Sequence, residues 1–393
     1  MRGDRLALTL LIAAAWSFSC STPPSPATRA VDTPAAITSA NPPASATPVR
    51  SLEMCIGTPP AAWTAGFQGQ SVVLPGGTRF GLGAPTLAGQ VAFGQFDTGT
   101  EDGIGSLDLA TGRMTRVVTW SSQVSGMGWM AVELPWVVWE QGNSQANLSD
   151  WSVLAWNKDT GARSTIATSR LPDSTFLFGQ PPYPSLRNGV VTWAQPLPRR
   201  GDVNESEIHA RSLGTGRDAV LASGRVGAPV FAGRYLIWAH READSRYSFQ
   251  AVDAESLAPI DLPDRLRDPG PIVYVAGSAQ FLAWSGEGSQ TVTVWTVDSR
   301  AFVEYRSPDL NHSFQFMQLA GHYLLFYGGV ASSILDLTTG AAFDVAGSLA
   351  GSDEKIAKEE PSVPIGQKGQ LVASRISAVS LNTVGTIATC APR

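Results

Sequence analysis

Histidine, cysteine and charge are all scarce in this chain of 393 residues, and each scarcity removes a class of function. The 4 histidines, His209, His240, His312 and His322, show no ligand spacing, which argues against a zinc site or a histidine-activated nucleophile. The 3 cysteines are Cys20, Cys55 and Cys390, and a bridge between the last two would leave no thiol in the folded part for catalysis. Charged residues make up 16% of the chain and its net charge is -5, so it lacks the basic footprint of a nucleic-acid partner. No apolar run is long enough to span a bilayer as a mature helix, and a 3.6-residue periodicity is missing, which excludes helical solenoids. What is present is 39 glycines, 27 prolines and 12 tryptophans in a chain that is 43% apolar, the composition of an all-β fold with many turns and large packed aromatics.

The first 20 residues read as an export signal: Arg2 and Arg5 precede a short apolar run from Leu6 to Trp16. They end in Ser17-Phe18-Ser19-Cys20, which resembles a bacterial lipobox and implies lipidation at Cys20, with the membrane as a partner through that anchor. Ser17 stands where a leucine is usual, which leaves ordinary cleavage without lipid open. Residues 21–50 are Ser, Thr, Pro and Ala with little apolar bulk, the composition of a disordered linker extended by its prolines. Cys55 and Cys390 then stand at the two ends of the folded part, 51–393. In an exported protein such a pair suggests a disulfide, with two buried thiols as the alternative.

From Ala84 onward a pattern recurs, clearest in Phe231 to Asp253: an apolar strand ending in a bulky residue, a polar loop, and a second alternating strand ending at an acidic turn. The bulky markers are Phe93, Trp139, Trp193, Trp238, Trp284, Phe326 and, more weakly, Ala373. The turns are Asp108 to Gly112, Asn157 to Gly161, Ser212 to Gly216, Asp253, Asp298, and Asp336 to Gly340. In them a short polar side chain bonds nearby backbone and glycine accepts a positive φ. Further short strands on either side make four per repeat of about 45 residues, the signature of β-propeller blades. The markers predict seven blades over about 84–390, with six or eight left open. A strand in Ser71 to Phe80, within an N-terminal closing segment 51–83, could pair with the last blade and close the ring. The recurring tryptophans are expected to fill the space between neighbouring sheets rather than to form a ligand cage. The charged stretch DEKIAKEE within Ser348 to Pro361 predicts an exposed helix, from Glu354 with Lys358 and Lys355 with Glu359 at i, i+4.

Hairpins of the form G-x-Y-L-x-W followed by h-x-h-h-D-h-x-T-G resemble those of bacterial TolB-like and quinoprotein-like propellers, over nearly all of the chain after residue 84. The resemblance implies the fold. It does not extend to the partner-binding role of TolB-like proteins, which carry an extra N-terminal domain where this chain has a linker.

For function, the sequence assigns no catalytic, cofactor or metal residue. Carboxylates in loops expected on one face are the remaining candidates: Asp97, Glu101 and Asp102, Glu140 and Asp150, Asp202, Glu205 and Glu207, Glu242 and Asp244, and Glu287. Converging at a channel mouth they could hold calcium or move protons, but solvated loop charges interleaved with Arg199, Arg200, Arg241 and Arg246 explain them as well. Loop length adds a pointer. The longest loops, Gln141 to Asp150, Pro196 to Glu207 and the link Pro172 to Pro184, cluster on blades two and three. There Asp150, Arg199, Arg200, Asp202 and Glu205 are the candidate binding residues. The tripeptide Arg200-Gly201-Asp202 is too short a match to carry weight. The expectation is a monomeric, lipid-anchored envelope protein serving as a non-catalytic binding or scaffold module for a protein or glycan. The alternative is an envelope enzyme, a carbohydrate hydrolase or lyase or a quinoprotein-like dehydrogenase, working in the central channel.

Overall fold

The computed structural model describes residues 49–388, with breaks at 70, 75–78, 89, 99–100, 121–125, 145, 148, 180, 199–203, 330 and 361–374. Cys20, Cys390, Ala373, Arg199, Arg200 and Asp202 lie outside the described residues, as do the signal segment and nearly all of the linker.

The described chain forms a β-propeller of seven small sheets that follow one another in sequence order. Blade one consists of Arg79–Ala88, Val91–Asp97, Asp102–Asp108 and Met114–Trp120, and blade two of Gly126–Glu133, Trp136–Gly142, Trp151–Asn157 and Arg163–Thr168. Blade three is built from Ser185–Arg187, Val190–Pro196, Ser206–Ser212 and Asp218–Gly224. Within each blade the strands pair antiparallel in order, innermost first.

Six of the seven markers sit on the second strand of their blade and are buried: Phe93, Trp139, Trp193, Trp238, Trp284 and Phe326. Each packs in a cluster that spans the seam to a neighbouring blade. Phe93 and Trp139 share a cluster with Ile104, Val117 and Met130, and Trp193 packs with Trp151, Val153 and Ile166. Trp284 meets Phe249 edge-on at 5.4 Å. An aromatic ring is broad enough to bridge two splayed sheets, and removing such a side chain from water contributes about 1.5–3 kcal/mol. The turns also form as the sequence implies. Asp108 Oδ1 accepts from the amides of Ala110 at 2.9 Å and Thr111 at 2.8 Å, and Gly112 has φ 71°. In blades four and five, where the glycine is missing, Leu257 and Arg300 take the left-handed position, with φ 57° and 56°.

Two expectations are corrected. The DEKIAKEE stretch is not a helix: Ser348–Gly351 and Lys355–Glu360 are the first two strands of blade seven, paired Ala350 with Ala357. Ile356 packs toward Tyr323 and Ile334 of blade six, while Ala357 packs toward Phe80 and Phe96 of blade one. Burial on both faces outweighs the few tenths of a kcal/mol that exposed i, i+4 charge pairs offer a helix. The marker position of this blade therefore belongs to Lys358, the fourth residue of its strand. Its ammonium lies 5.0 Å from the ring centre of Phe67. The second correction concerns blade four, which has three strands rather than four: Val230–Ala232, Tyr235–Arg241 and Tyr247–Asp253. The stretch that follows carries Pro259, Pro263, Pro269 and Pro271, which cannot donate to a ladder. It keeps only one bridge, Val252 to Pro259, before a short 3-10 turn at Asp264–Leu266.

The N-terminal segment is a strap across three blades. β1 (Val49–Glu53) adds a parallel fifth strand to the outer edge of blade five, beside Phe302–Arg306, so folded structure starts slightly before residue 51. β2 (Cys55–Gly57) does the same for blade six, with Cys55 opposite Ala341. Helix α1 (Ala61–Gly69) buries Trp63 against Tyr323 and Phe343 of blade six, with ring centres 5.0 and 5.3 Å apart. β3 (Ser71–Val73) then pairs antiparallel with Arg375–Ser380 and completes blade seven, the expected ring closure, whereas Arg79 and Phe80 of the same stretch belong to the first strand of blade one, which starts before residue 84. The C-terminal end is fixed to blade six. The Tyr323 hydroxyl donates to the Gly385 carbonyl at 2.6 Å, and the Ile387 amide donates to Asp336 Oδ2 at 2.8 Å.

Candidate binding site at the channel mouth

In a propeller the innermost strands line the central channel, so irregularities in them shape whatever the channel can hold. Blade two's innermost strand shifts register between Met127 and Met130, and that of blade six shifts twice between His312 and Gln318. A bulge of this kind re-aims side chains. In blade two it frees Gly128 and Trp129 from regular pairing; in blade six it includes Phe316, whose φ is 44°. Tyr183, just before the innermost strand of blade three, has φ 39°. Left-handed backbone is unfavourable for aromatic residues, and such strain collects at sites where a side chain must point a particular way.

The aromatic side chains form two contacting pairs. Trp129 and Tyr183 meet edge-to-face at 5.5 Å, and Tyr274, the first residue of blade five's innermost strand, meets Phe316 at 5.4 Å. Phe316 is 46% exposed, an unusual exposure for a phenylalanine on an inner strand. Glu140, on the second strand of blade two, is only 7% exposed. Its carboxylate accepts from the Trp129 amide, yet Oε2 has no partner among the described residues. Burial raises the Glu140 pKa to about 7, against the opposing pull of that one amide. The Tyr183 phenol is pushed up first by burial, then by Glu140 and Tyr274. Burial, followed by Glu287, likewise raises Tyr274.

Several of the other loop carboxylates have local partners. Glu101 pairs with Arg116 at 2.7 Å, Asp244 with Arg246 at 2.7 Å, Glu207 with His209 at 3.2 Å and Glu242 with His240 at 3.1 Å. On blade one, Asp102 is pushed up by burial and then by Asp97 beside it. Asp150 is buried at the base of the blade-two loop. Its Oδ1 accepts from Asn143 Nδ2 at 3.0 Å and its Oδ2 pairs with Arg170 at 3.3 Å, so it latches that loop shut. Glu205 is half-buried, and its carbonyl accepts from the Leu197 amide at 2.9 Å, closing the base of the blade-three loop. Near these loops Phe178 is the largest exposed apolar side chain of the link between blades two and three. Among the described residues no group of three or more His, Cys, Asp or Glu is placed to share a metal ion.

Sequence reasoning therefore named Glu140 but not its surroundings. Trp129, Tyr183, Tyr274 and Phe316 do not recur at one position per blade. That irregularity, set against the regular inter-blade tryptophans, was the available signal.

No protein-family model and no curated protein matches the sequence significantly. Solved structures with similar folds include an oligogalacturonate lyase from Vibrio parahaemolyticus, at 11% identity over 79% of this chain and 92% of that one, with TM-score 0.51. A structure from a study of two prolyl endopeptidases matches at 12% identity and TM-score 0.51, over 80% of this chain and 48% of that one. AztD from Citrobacter koseri in its apo form matches at 10% identity and TM-score 0.45, over 78% of this chain and 90% of that one. At these identities the likeness concerns the fold, which enzymes and other proteins share.

Proposed function

We propose that this protein is an exported, lipid-anchored binding module of the cell envelope, whose propeller takes its ligand at the channel mouth without transforming it. The observation that carries the reading is the group Trp129, Tyr183 and Phe316, held on bulged or left-handed inner backbone, with Tyr274 against Phe316 on a regular inner strand. Aromatic rings around a concave mouth give a ligand contact area at low entropic cost. The local pairing of Glu101, Asp150, Glu207, Glu242 and Asp244 supports the same reading, since those carboxylates serve their own loops. Anchoring through Cys20, the linker before residue 49 and a Cys55 to Cys390 bridge belong to the proposal.

One observation favours the enzyme alternative. A buried carboxyl raised to about 7, as Glu140 is, suits a general acid or base. The test is to present the mature chain with glycan and peptide arrays, then follow each captured ligand by mass spectrometry. The proposal expects binding that is lost in Trp129→Ala and Tyr274→Ala, with the ligand recovered intact. Conversion of a captured polysaccharide, abolished in Glu140→Gln, would sink it and establish the enzyme.

A further inference from the structure

Resting on the binding reading above, we propose that the Glu140 carboxylate and the rings of Trp129, Tyr183 and Tyr274 form a receptor for an organic cation, a primary or methylated ammonium group.

The starting point is the cost of Glu140 as it stands. A carboxylate sunk between two blades loses its hydration, and its charged form needs donors or a counter-charge in return. The chain supplies one backbone amide, from Trp129, and leaves the buried Oε2 without a partner among the described residues. Among the described residues neither a lysine nor an arginine pairs with it, whereas Glu101, Asp150 and Asp244 of these loops each have an arginine partner. The backbone has been shaped to admit the carboxylate. A β-carbon on Gly128 would stand 2.7 Å from Oε2, so any larger residue there would push the carboxylate from its present place beside the bulge.

The surroundings select the ligand charge. A neutral sugar could donate a hydroxyl to Oε2, but it would gain nothing from the negative faces of the rings. An ammonium group gains from both at once, the arrangement by which aromatic cages hold methylated amines. Glu287 also acts on Tyr274, and its charge favours the approach of a cation and opposes an anion. The titratable group facing Glu140 from the neighbouring blade is Tyr183, whose pKa is raised further above its ordinary value, so it stays neutral around pH 7. Cation binding would stabilise the ionised form of Glu140. Affinity then rises with pH through the carboxyl's own titration, and protons are released on binding near neutrality.

The experiment is calorimetric titration of the whole mature chain with choline and with its uncharged isostere, 3,3-dimethylbutan-1-ol. The expected result is that choline binds at least about tenfold more tightly than the isostere. Its affinity should increase from about pH 6 to about pH 8, with a buffer-dependent heat that reports proton release. Glu140→Gln, folded by circular dichroism, should lose the preference for charge while Trp129→Ala weakens both ligands. Equal binding of the two probes, an affinity flat with pH, or no choline binding at millimolar concentration overturns the inference. The pH series uses the native chain, so a variant that fails to fold leaves the test intact. If choline fails while an array ligand still binds through Trp129 and Tyr274, the cation assignment falls and the binding reading stands. Turnover of that ligand would remove the binding reading instead.

Discussion

A β-carbon placed on Gly128 would stand 2.7 Å from Oε2 of Glu140, so the bulge in the innermost strand of blade two and the buried acid of its second strand occupy one shared space. The glycine is needed for its missing side chain, because its neighbour's carboxylate fills that volume. In Gly128→Ala the carboxylate must swing away from the Trp129 amide. The expected outcome is a lowered Tm, together with loss of any ligand that depends on Glu140, read by thermal unfolding and by calorimetry on the same sample.

Glu140 also makes stability depend on pH in an unusual direction. Its pKa is raised on folding, so the folded chain holds a proton that the unfolded chain releases between the ordinary carboxylate range and about pH 7. Stability from this group is present at acid pH and is lost as pH rises through about 7. Glu140→Gln keeps the oxygen that accepts from Trp129 and does not titrate. It is expected to be close to wild type near pH 4 and more stable by up to about 3 kcal/mol near pH 8. Urea unfolding at the two pH values checks this; a difference independent of pH would contradict it.

Trp63 is the key of the N-terminal strap. It is fully buried and stands edge-on to both Tyr323 and Phe343, holding α1 to blade six. Trp63→Ala should cost about 3–5 kcal/mol, the range for deleting a large buried ring. Limited proteolysis should then cut first between β1 and β3, because those short strands alone hold little surface. Cleavage within blades one to three instead would mean that the strap is not the element released.

Gly328 tests how tightly blade six is built. A β-carbon there would lie 2.1 Å from the Asn311 carbonyl oxygen, a backbone atom that cannot turn aside. Gly328→Ala is expected to destabilise the protein by about 1–3 kcal/mol through forced backbone shifts. Gly161→Ala is the control for a different cause, since its site is open but its φ of 70° is positive. Its cost should be about 1 kcal/mol.

The proposed bridge between Cys55 and Cys390 predicts no titratable thiol in the oxidised mature chain. Cys55 stands beside Ala341, and Asp336 at the other end of that turn receives Ile387 from the C-terminal end, so both chain ends converge on blade six. Cys390→Ser should expose one thiol and lower stability by about 2–5 kcal/mol. Intact mass of the native protein checks the anchor on the same preparation, expecting a diacylglyceryl increment that is lost in Cys20→Ala. Two free thiols in the unmodified protein would remove the bridge.

The repeat could be read from the chain because its physical requirements recur. Each blade needs one broad residue to fill a seam and one short polar side chain to fold back at a turn, and Trp139, Trp193, Trp238 and Trp284 with Asp108, Asn157 and Asp336 answer those needs at regular spacing. Blade seven escaped because Lys358 stands where the aromatic is expected and finds its ring on Phe67, far away in sequence. The DEKIAKEE stretch misled for a related reason. Local charge spacing is visible in a sequence, but burial of Ile356 against one blade and Ala357 against another is not.

The sequence by itself determined the architecture, the closing role of the stretch near Ser71 and the pairing of large aromatics with blade seams, because these follow from periodicity and from the sizes of side chains. Only the tertiary structure decided which of the loop carboxylates is left buried with an unpartnered oxygen. Asp150 and Glu140 are both buried acids of blade two, yet Asp150 meets Asn143 and Arg170 within its own loop, whereas Glu140 reaches a bulged strand and a tyrosine of the next blade. Whether a buried charge is satisfied depends on what other segments bring to it, and that is fixed when the blades pack around the channel rather than along the chain.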